Sequence, residues 1–280
     1  MPTIEQNQDA WDKNYSWDEE GDEWSEPWGT ARSQWFGSLL PRVNYWLPAP
    51  RMLEIAPGHG RWTQFLLPLA QELHLVDLSG ECIKTCQQRF AGHEKLTYEV
   101  NDGESLPGVS AGWADLVFSF DSLVHVEAEN FRGYIQEFAR VLSDAGVAFL
   151  HHSNMKAYEE EIKTHGKSFT DRLRIKIGAM KNEPLNRHWR AESMSGEVLR
   201  QMCAEYELLV LHQEQLNWRV EPELLSDCIS IIAKKSHPLA DKAGKIYRNP
   251  YFMEEARLIK NLDASYNLAG KKGSRIAPEA

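Results

Sequence analysis

Apolar positions in the middle of the chain fall into two alternating rhythms, short unbroken runs and longer stretches spaced at three and four residues, which predict strands and helices in turn. Residues 51–55 read as a short buried strand, 60–73 as a helix and 73–77 as a second strand that ends in an acid, making one βαβ unit. The rhythm continues with a helix over 79–90, a strand over 96–100, a buried strand over 114–120, a helix over 129–142 and a strand over 146–153. Strands alternating with helices of this length predict a mostly parallel sheet, covered on both faces and joined by right-handed crossovers.

Outside this core the pattern changes. Residues 156–190 are polar, basic in patches and weakly periodic, which suits an insertion on the substrate side after the fifth strand. A helix over 193–204, opening near Ser193 or Ser195, and strands over 208–218 and 227–234 close the core. The chain thus divides into a tryptophan-rich N-terminal arm or lid at 1–49, a core at 50–235 and a C-terminal extension at 236–280. The extension holds one amphipathic helix over 251–262, for which packing in a homodimer, folding over the active site, or neither, all stay open. Its final residues, Gly270-Lys-Lys-Gly-Ser-Arg275, have a disordered composition.

Composition narrows the function. With 280 residues and 42% hydrophobic positions the chain builds an ordinary core, and its four cysteines show no paired spacing, so reduced thiols are expected. A formal net charge of −10 argues against a nucleic-acid partner, because such partners are held largely by basic surfaces. The N-terminus carries acids and tryptophans where a signal peptide would be basic and then apolar, and no stretch approaches a membrane span, so a cytoplasmic protein is expected.

The chemistry concentrates at the ends of the predicted strands. In an open parallel sheet the ligand lies outside the carboxyl ends of the strands, and Pro57-Gly-His-Gly60 is the first strand-to-helix turn. Glycines there admit a ligand close to the backbone. Thr63 occupies the third glycine position of the dinucleotide fingerprint, which counts against a nicotinamide-dependent reductase, as does the lack of an evident tyrosine-lysine pair. Asp77 ends the second strand about twenty residues beyond the turn, where a carboxylate accepts both hydroxyls of a ribose. Asn101-Asp-Gly103 follows the third strand, a place from which Asp102 could accept a hydrogen bond from an adenine amino group, although as a bare turn it is unremarkable.

The runs Leu53-Glu-Ile-Ala-Pro-Gly-His-Gly-Arg61, Leu75-Val-Asp-Leu-Ser79, Asn101-Asp-Gly103, Ala114-Asp-Leu-Val-Phe-Ser-Phe-Asp121 and Glu137-Phe-Ala-Arg-Val-Leu-Ser-Asp-Ala-Gly146 resemble the class I S-adenosylmethionine-dependent methyltransferases over residues 50–235. The resemblance implies a Rossmann-like α/β fold, with a mostly parallel seven-stranded sheet, helices on both faces and an antiparallel last strand. It implies S-adenosylmethionine as cofactor, with Glu54, Ala56, Gly58 and Gly60 toward its methionine part. Asp77 and Leu78 fall toward the ribose, Asp102 and Gly103 toward the adenine, and Phe120 and Asp121 on the other flank. Ala56 stands where the family carries its first glycine.

Methyl transfer to a hydroxyl needs a base, and histidine is the usual one. His125 follows the fourth predicted strand and is the first candidate; His152 and then His151, at the end of the fifth, come next. Each is equally readable as a structural histidine. His188-Trp-Arg190, with Trp189 and Arg190 offering an aromatic face and a cation, and Trp28 in the arm suit a small-molecule or saccharide acceptor, or else simple packing. Together Glu23-Trp-Ser25, Trp28-Gly29, Phe120-Asp-Ser-Leu-Val-His125 and His151-His-Ser-Asn154 resemble methyltransferases of bacterial polysaccharide and glycan biosynthesis, which implies O-methylation of a sugar hydroxyl. An N-methyltransferase, a natural-product small-molecule methyltransferase and a non-catalytic cofactor-binding protein are the alternatives. No acidic cluster for a divalent cation is evident, so activity without metal is expected.

Overall fold

The computed structural model describes residues 3–17, 19–164, 177, 189–218 and 224–267. Its eight strands form one sheet: β1 (Ala49–Ile55), β2 (Ala70–Asp77), β3 (Leu96–Val100), β4 (Ala114–Ser119), β5 (Leu142–Ser153), β6 (Leu208–Leu216), β7 (Asp227–Lys234) and β8 (Lys245–Asn249). They lie in the order β3-β2-β1-β4-β5-β7-β6-β8. The first five are parallel, β7 runs antiparallel to both β5 and β6, and β8 pairs in parallel with β6. The seven-stranded expectation is therefore short by one. The added strand, Lys-Ile-Tyr-Arg-Asn, is exposed at four of its five positions, so its sequence lacks the apolar run that marks a buried strand, and its charges suit an edge.

Two of the long helices begin on serine caps. In α2 (Gly80–Arg89) the Ser79 hydroxyl caps the first turn by accepting from the Cys82 N–H at 3.0 Å. In α4 (Gly196–Glu205) Ser195 does the same for Val198 at 3.2 Å. The apolar stripe of α3 (Ala128–Val141), with Phe131, Ile135 and Phe138 fully buried, packs with Leu199 and Met202 of α4 against one face of the sheet. The helix expected over 60–73 is much shorter, covering Thr63–Leu66 and a tight turn at Leu67–Leu69. Pro68 lacks the N–H that would continue the helix, and β2 begins at once.

The opposite face is covered by the N-terminal arm and the C-terminal extension. The arm opens with α1 (Ile4–Asp9) and continues as short turns over Asp22–Trp28, Ala31–Gln34, Trp35–Leu39 and Leu40–Val43. Trp28 is wholly buried between Trp218 (ring centres 5.3 Å apart) and Phe252 (5.5 Å), and Trp35 stacks on Phe65 at 5.3 Å. Phe252 opens α5 (Phe252–Tyr266), so the extension's helix packs against the arm. Arg42 joins three parts of the chain, donating to Glu214 of β6 at 2.7 and 3.0 Å and to Glu255 of α5 at 2.8 and 2.9 Å. Burial opposes its charge, but the two carboxylates raise its pKa further above the ordinary arginine value. Because Arg42→Met leaves two largely buried carboxylates without their cation, it is expected to cost about 3 kcal/mol in urea unfolding; no loss would show that the arm is held by its tryptophans alone.

Candidate functional site

A cavity of about 120 Å³ opens at the carboxyl ends of β1, β2 and β4, bordered by Ala56, Gly58, Asp77, Leu78, Phe120 and His125 among others. Its floor is the turn after β1. Ala56 has φ +55° and Gly58 φ +58°, so the alanine that replaces the family's first glycine sits in the left-handed region that disfavours a side chain. A Cβ on Gly58 would lie 2.9 Å from the Trp17 ring, and one on Gly60 would collide with Phe90, so at both positions space as well as conformation requires glycine.

Asp77 ties this turn to the next. Its Oδ2 accepts from the Gly58 N–H at 3.1 Å and its Oδ1 from the Ser79 N–H at 2.8 Å. Burial raises its pKa to about 6 against the pull of those two donors. Each oxygen keeps a second lone pair for a ligand hydroxyl. Glu54 lies beneath the turn with its Oε2 accepting from the Thr63 hydroxyl at 2.6 Å, and burial pushes its pKa up to about 8. Among the described residues the Oε1 of Glu54 has no partner, and neither do the NH1 of Arg61 and the indole Nε1 of Trp62, both of which border the cavity. Arg61 is held over the Trp62 ring and donates to Asp121 at 2.9 Å.

Gly103 and Leu78 border the cavity, whereas Asp102 turns away. Its carboxylate accepts from the Glu104 and Ser105 N–H groups at 3.0 and 2.7 Å and from the Ser105 hydroxyl at 2.7 Å, capping its own loop.

The arm forms the roof. Trp11, Trp17 and Trp24 border the cavity; Trp17 stacks on His59 at 4.1 Å, and the Trp11 ring lies 5.7 Å from that of His125. Trp28 is part of the core instead, as its neighbours Trp218 and Phe252 require, so it does not reach this space.

The three histidines part company. His125 borders the cavity, with Nδ1 3.0 Å from the Trp189 carbonyl; a carbonyl only accepts, so Nδ1 carries the proton and, in the neutral ring, Nε2 carries none. Burial holds its pKa below the ordinary 6.5. His151 stacks on Phe120 at 4.4 Å, accepts the Asp121 N–H at Nδ1 (3.1 Å) and faces Asp227 at Nε2 (3.0 Å), so both nitrogens are engaged. His152 points to the other face of β5, against Phe131, with its nitrogens 2.9 Å from the Ser153 carbonyl and the Ser230 hydroxyl; burial lowers its pKa to about 4. His151 and His152 thus face opposite sides of the sheet, as alternate residues of a strand do, and neither is among the residues that border the cavity.

Arg190 is buried and forked onto Asp227, at 2.6 and 2.7 Å, while the Trp189 ring is exposed and His188 lies outside the described residues. Asp227 was missed in the sequence, where the only signal was an acid opening the apolar run Asp227-Cys-Ile-Ser-Ile-Ile-Ala233. Arg61 and Trp62 were passed over beside the glycines they follow. Among the described residues no three histidines, cysteines or acids are grouped as a metal site would need, and no helix there is long and apolar enough to cross a membrane.

Residues 52–146, which hold the cavity's floor and the clamp of Asp77, match the family described as Methyltransferase domain. Over about a third of its length the chain is thus similar to a methyltransferase domain. The fold is that of solved methyltransferase structures. A 59-residue segment is 39% identical to ribosomal RNA small subunit methyltransferase A of Pseudomonas fluorescens; it spans 21% of this chain and about a fifth (21%) of that relative. Among solved structures, magnesium protoporphyrin IX methyltransferase from Synechocystis, which has SAH bound, superposes with a TM-score of 0.52 at 14% identity, over 82% of this chain and 99% of that one. An S-adenosylmethionine-dependent methyltransferase from Clostridium acetobutylicum gives 0.50 at 15% identity, over 75% and 91%.

The polar groups at the cavity suit the amino-acid end of S-adenosylmethionine. Among the described residues Arg61 and Trp62 keep unpartnered buried donors that suit a carboxylate, and Glu54, beneath the cavity's floor, an unpartnered buried acceptor that suits an ammonium. With a pKa of about 8, Glu54 is mostly protonated at pH 7, and an ammonium beside it favours the charged form. S-Adenosylhomocysteine is therefore expected to release a proton on binding at pH 7, seen as a buffer-dependent binding enthalpy, and Glu54→Gln to abolish the release. An enthalpy independent of buffer would place the ammonium elsewhere.

Proposed function

We propose that this protein methylates a hydroxyl group of a small polar acceptor, using S-adenosylmethionine and His125 as general base. The observation that carries the reading is the tautomer of His125, whose Nδ1 is bound to the Trp189 carbonyl while its ring borders the cofactor cavity. The cofactor supplies the activated methyl group. Asp77 would hold the ribose, Leu78 and Gly103 would border the nucleoside end, and Arg61, Trp62 and Glu54 would take the methionine end. The acceptor oxygen loses its proton to His125 Nε2 as it attacks, which converts a poor nucleophile into a competent one. A neutral amine needs no such base, so the placement of His125 favours oxygen over nitrogen as acceptor.

A sugar as acceptor is supported by the sequence pattern and by the aromatic roof, where Trp11 and Trp24 offer flat faces of the kind on which sugar rings stack. The arm is then a lid. At about 120 Å³ the covered cavity is smaller than the roughly 300–1,000 Å³ of ordinary small-molecule sites, so Trp11 and Trp17 swing outward to admit the cofactor.

The test is methyl transfer to a panel of hydroxylated small molecules that includes simple glycosides. His125→Gln is expected to lower kcat by roughly 10²–10⁴-fold with the affinity for S-adenosylhomocysteine unchanged. Because burial lowers the pKa of His125, the wild-type rate should hold from pH 8 down through 6.5 and fall only below that. A variant at full activity, or a wild-type rate that does not fall as the pH drops below 6.5, would remove His125 from the chemistry.

A further inference from the structure

His125 is held in its base-competent form by a carbonyl that belongs to an unusual piece of backbone. Trp189 has φ +51°, a left-handed conformation that is costly for a residue with a side chain. Its ring is exposed at 65%, so packing of the indole does not hold it there. The next residue explains the strain. Arg190 turns into the core, 3% exposed, and forks onto both oxygens of the fully buried Asp227 through Nε at 2.6 Å and NH2 at 2.7 Å, its guanidinium 5.6 Å from the Trp218 ring centre. The N–H of Ala191 donates to the Val124 carbonyl at 2.8 Å, tying the segment on its other side to the residue before His125. A chain pinned at 190 and 191 in this way aims the Trp189 carbonyl at His125 Nδ1.

We infer that Arg190 and Asp227 are positioning residues that set the tautomer of His125 through the Trp189 carbonyl, an inference that rests on the proposed role of His125 as base. Asp227 acts on two histidines in opposite senses. It accepts from His151 Nε2, whose Nδ1 accepts the Asp121 N–H, so His151 is the Nε2–H form. Through Arg190 it makes His125 the Nδ1–H form. Burial opposes the charge of Asp227, yet Arg190 and His151 hold its carboxyl well below the usual carboxylate range, so it remains an anion between them. No proton leaves this pair in the proposed reaction; its part is to keep Nε2 of His125 unprotonated and facing the cavity.

The test is the nitrogen NMR spectrum of the full chain labelled with ¹⁵N at histidine, recorded at pH 7.5 without acceptor, in the wild type and in Arg190→Met/Asp227→Asn. Removing both charges together avoids stranding one of them in the core. The wild type is expected to show His125 as pure Nδ1–H and His151 as pure Nε2–H, assigned by loss of each signal in His125→Gln and His151→Gln. In the double variant the Nε2–H form of His125 should appear, while binding of S-adenosylhomocysteine stays within twofold of the wild type. A His125 that remains pure Nδ1–H in the double variant, or that is Nε2–H in the wild type, overturns the inference. Should the double variant fail to fold, Arg190→Lys, which keeps the charge but loses the fork, is read in the same way. The tautomers are measured on the resting protein, so a failure of the O-methylation reading shows in the transfer assay and leaves this result to stand or fall by itself.

Discussion

The carboxylate of Asp77 accepts one N–H from the turn after β1 and one from the turn after β2, and the head of the sheet is organised around that clamp. Two crossover turns converge there because β1 and β2 are parallel neighbours in register, Ile55 opposite Val76. The clamp brings Gly58 and Ser79 to one carboxylate, with Glu54 sealed beneath. It also explains why the turn tolerates Ala56 at φ +55°: a conformation that costs free energy locally is retained where the surrounding hydrogen bonds over-determine it. A buried acid with spare lone pairs and two buried donors without partners among the described residues are the groups that the proposed zwitterionic, ribose-bearing cofactor calls for.

The parallel core was legible because its signal is local. Strands such as β3 and β7 were bounded as they stand, since an apolar run between turn residues is enough to define them. What escaped lacked that signal. Strand β8 is exposed along most of its length and is held by its pairing to β6, a long-range contact that leaves no period in the sequence. The helix after Gly60 broke at Pro68, a local rule that the apolar spacing around it obscured.

The site was legible by position more than by role. Asp77, Gly58 and Phe120 follow from their places at strand ends, and they do border the cavity. Asp102 sits in the expected loop, yet its carboxylate is consumed by its own turn, a competition between ligand and local hydrogen bonds that spacing does not reveal. The opposite facing of His151 and His152 turned on one residue of register. Arg190, read as a ligand for an acceptor, is committed to Asp227, a partner 37 residues away that only the folded sheet brings near. The tryptophans of the arm divide by the same logic: Trp28 and Trp35 anchor it in the core, while Trp11, Trp17 and Trp24 roof the cavity, so one segment serves both purposes.

The central claim is that this cavity holds S-adenosylmethionine through the clamp of Asp77. The direct measurement is calorimetric titration of the full chain with S-adenosylhomocysteine, beside NADH, in the wild type and in Asp77→Ala. The account predicts that the wild type binds S-adenosylhomocysteine and not NADH, and that Asp77→Ala remains folded but loses the binding. Binding of NADH in preference, or S-adenosylhomocysteine bound equally well without the Asp77 carboxylate, would contradict it.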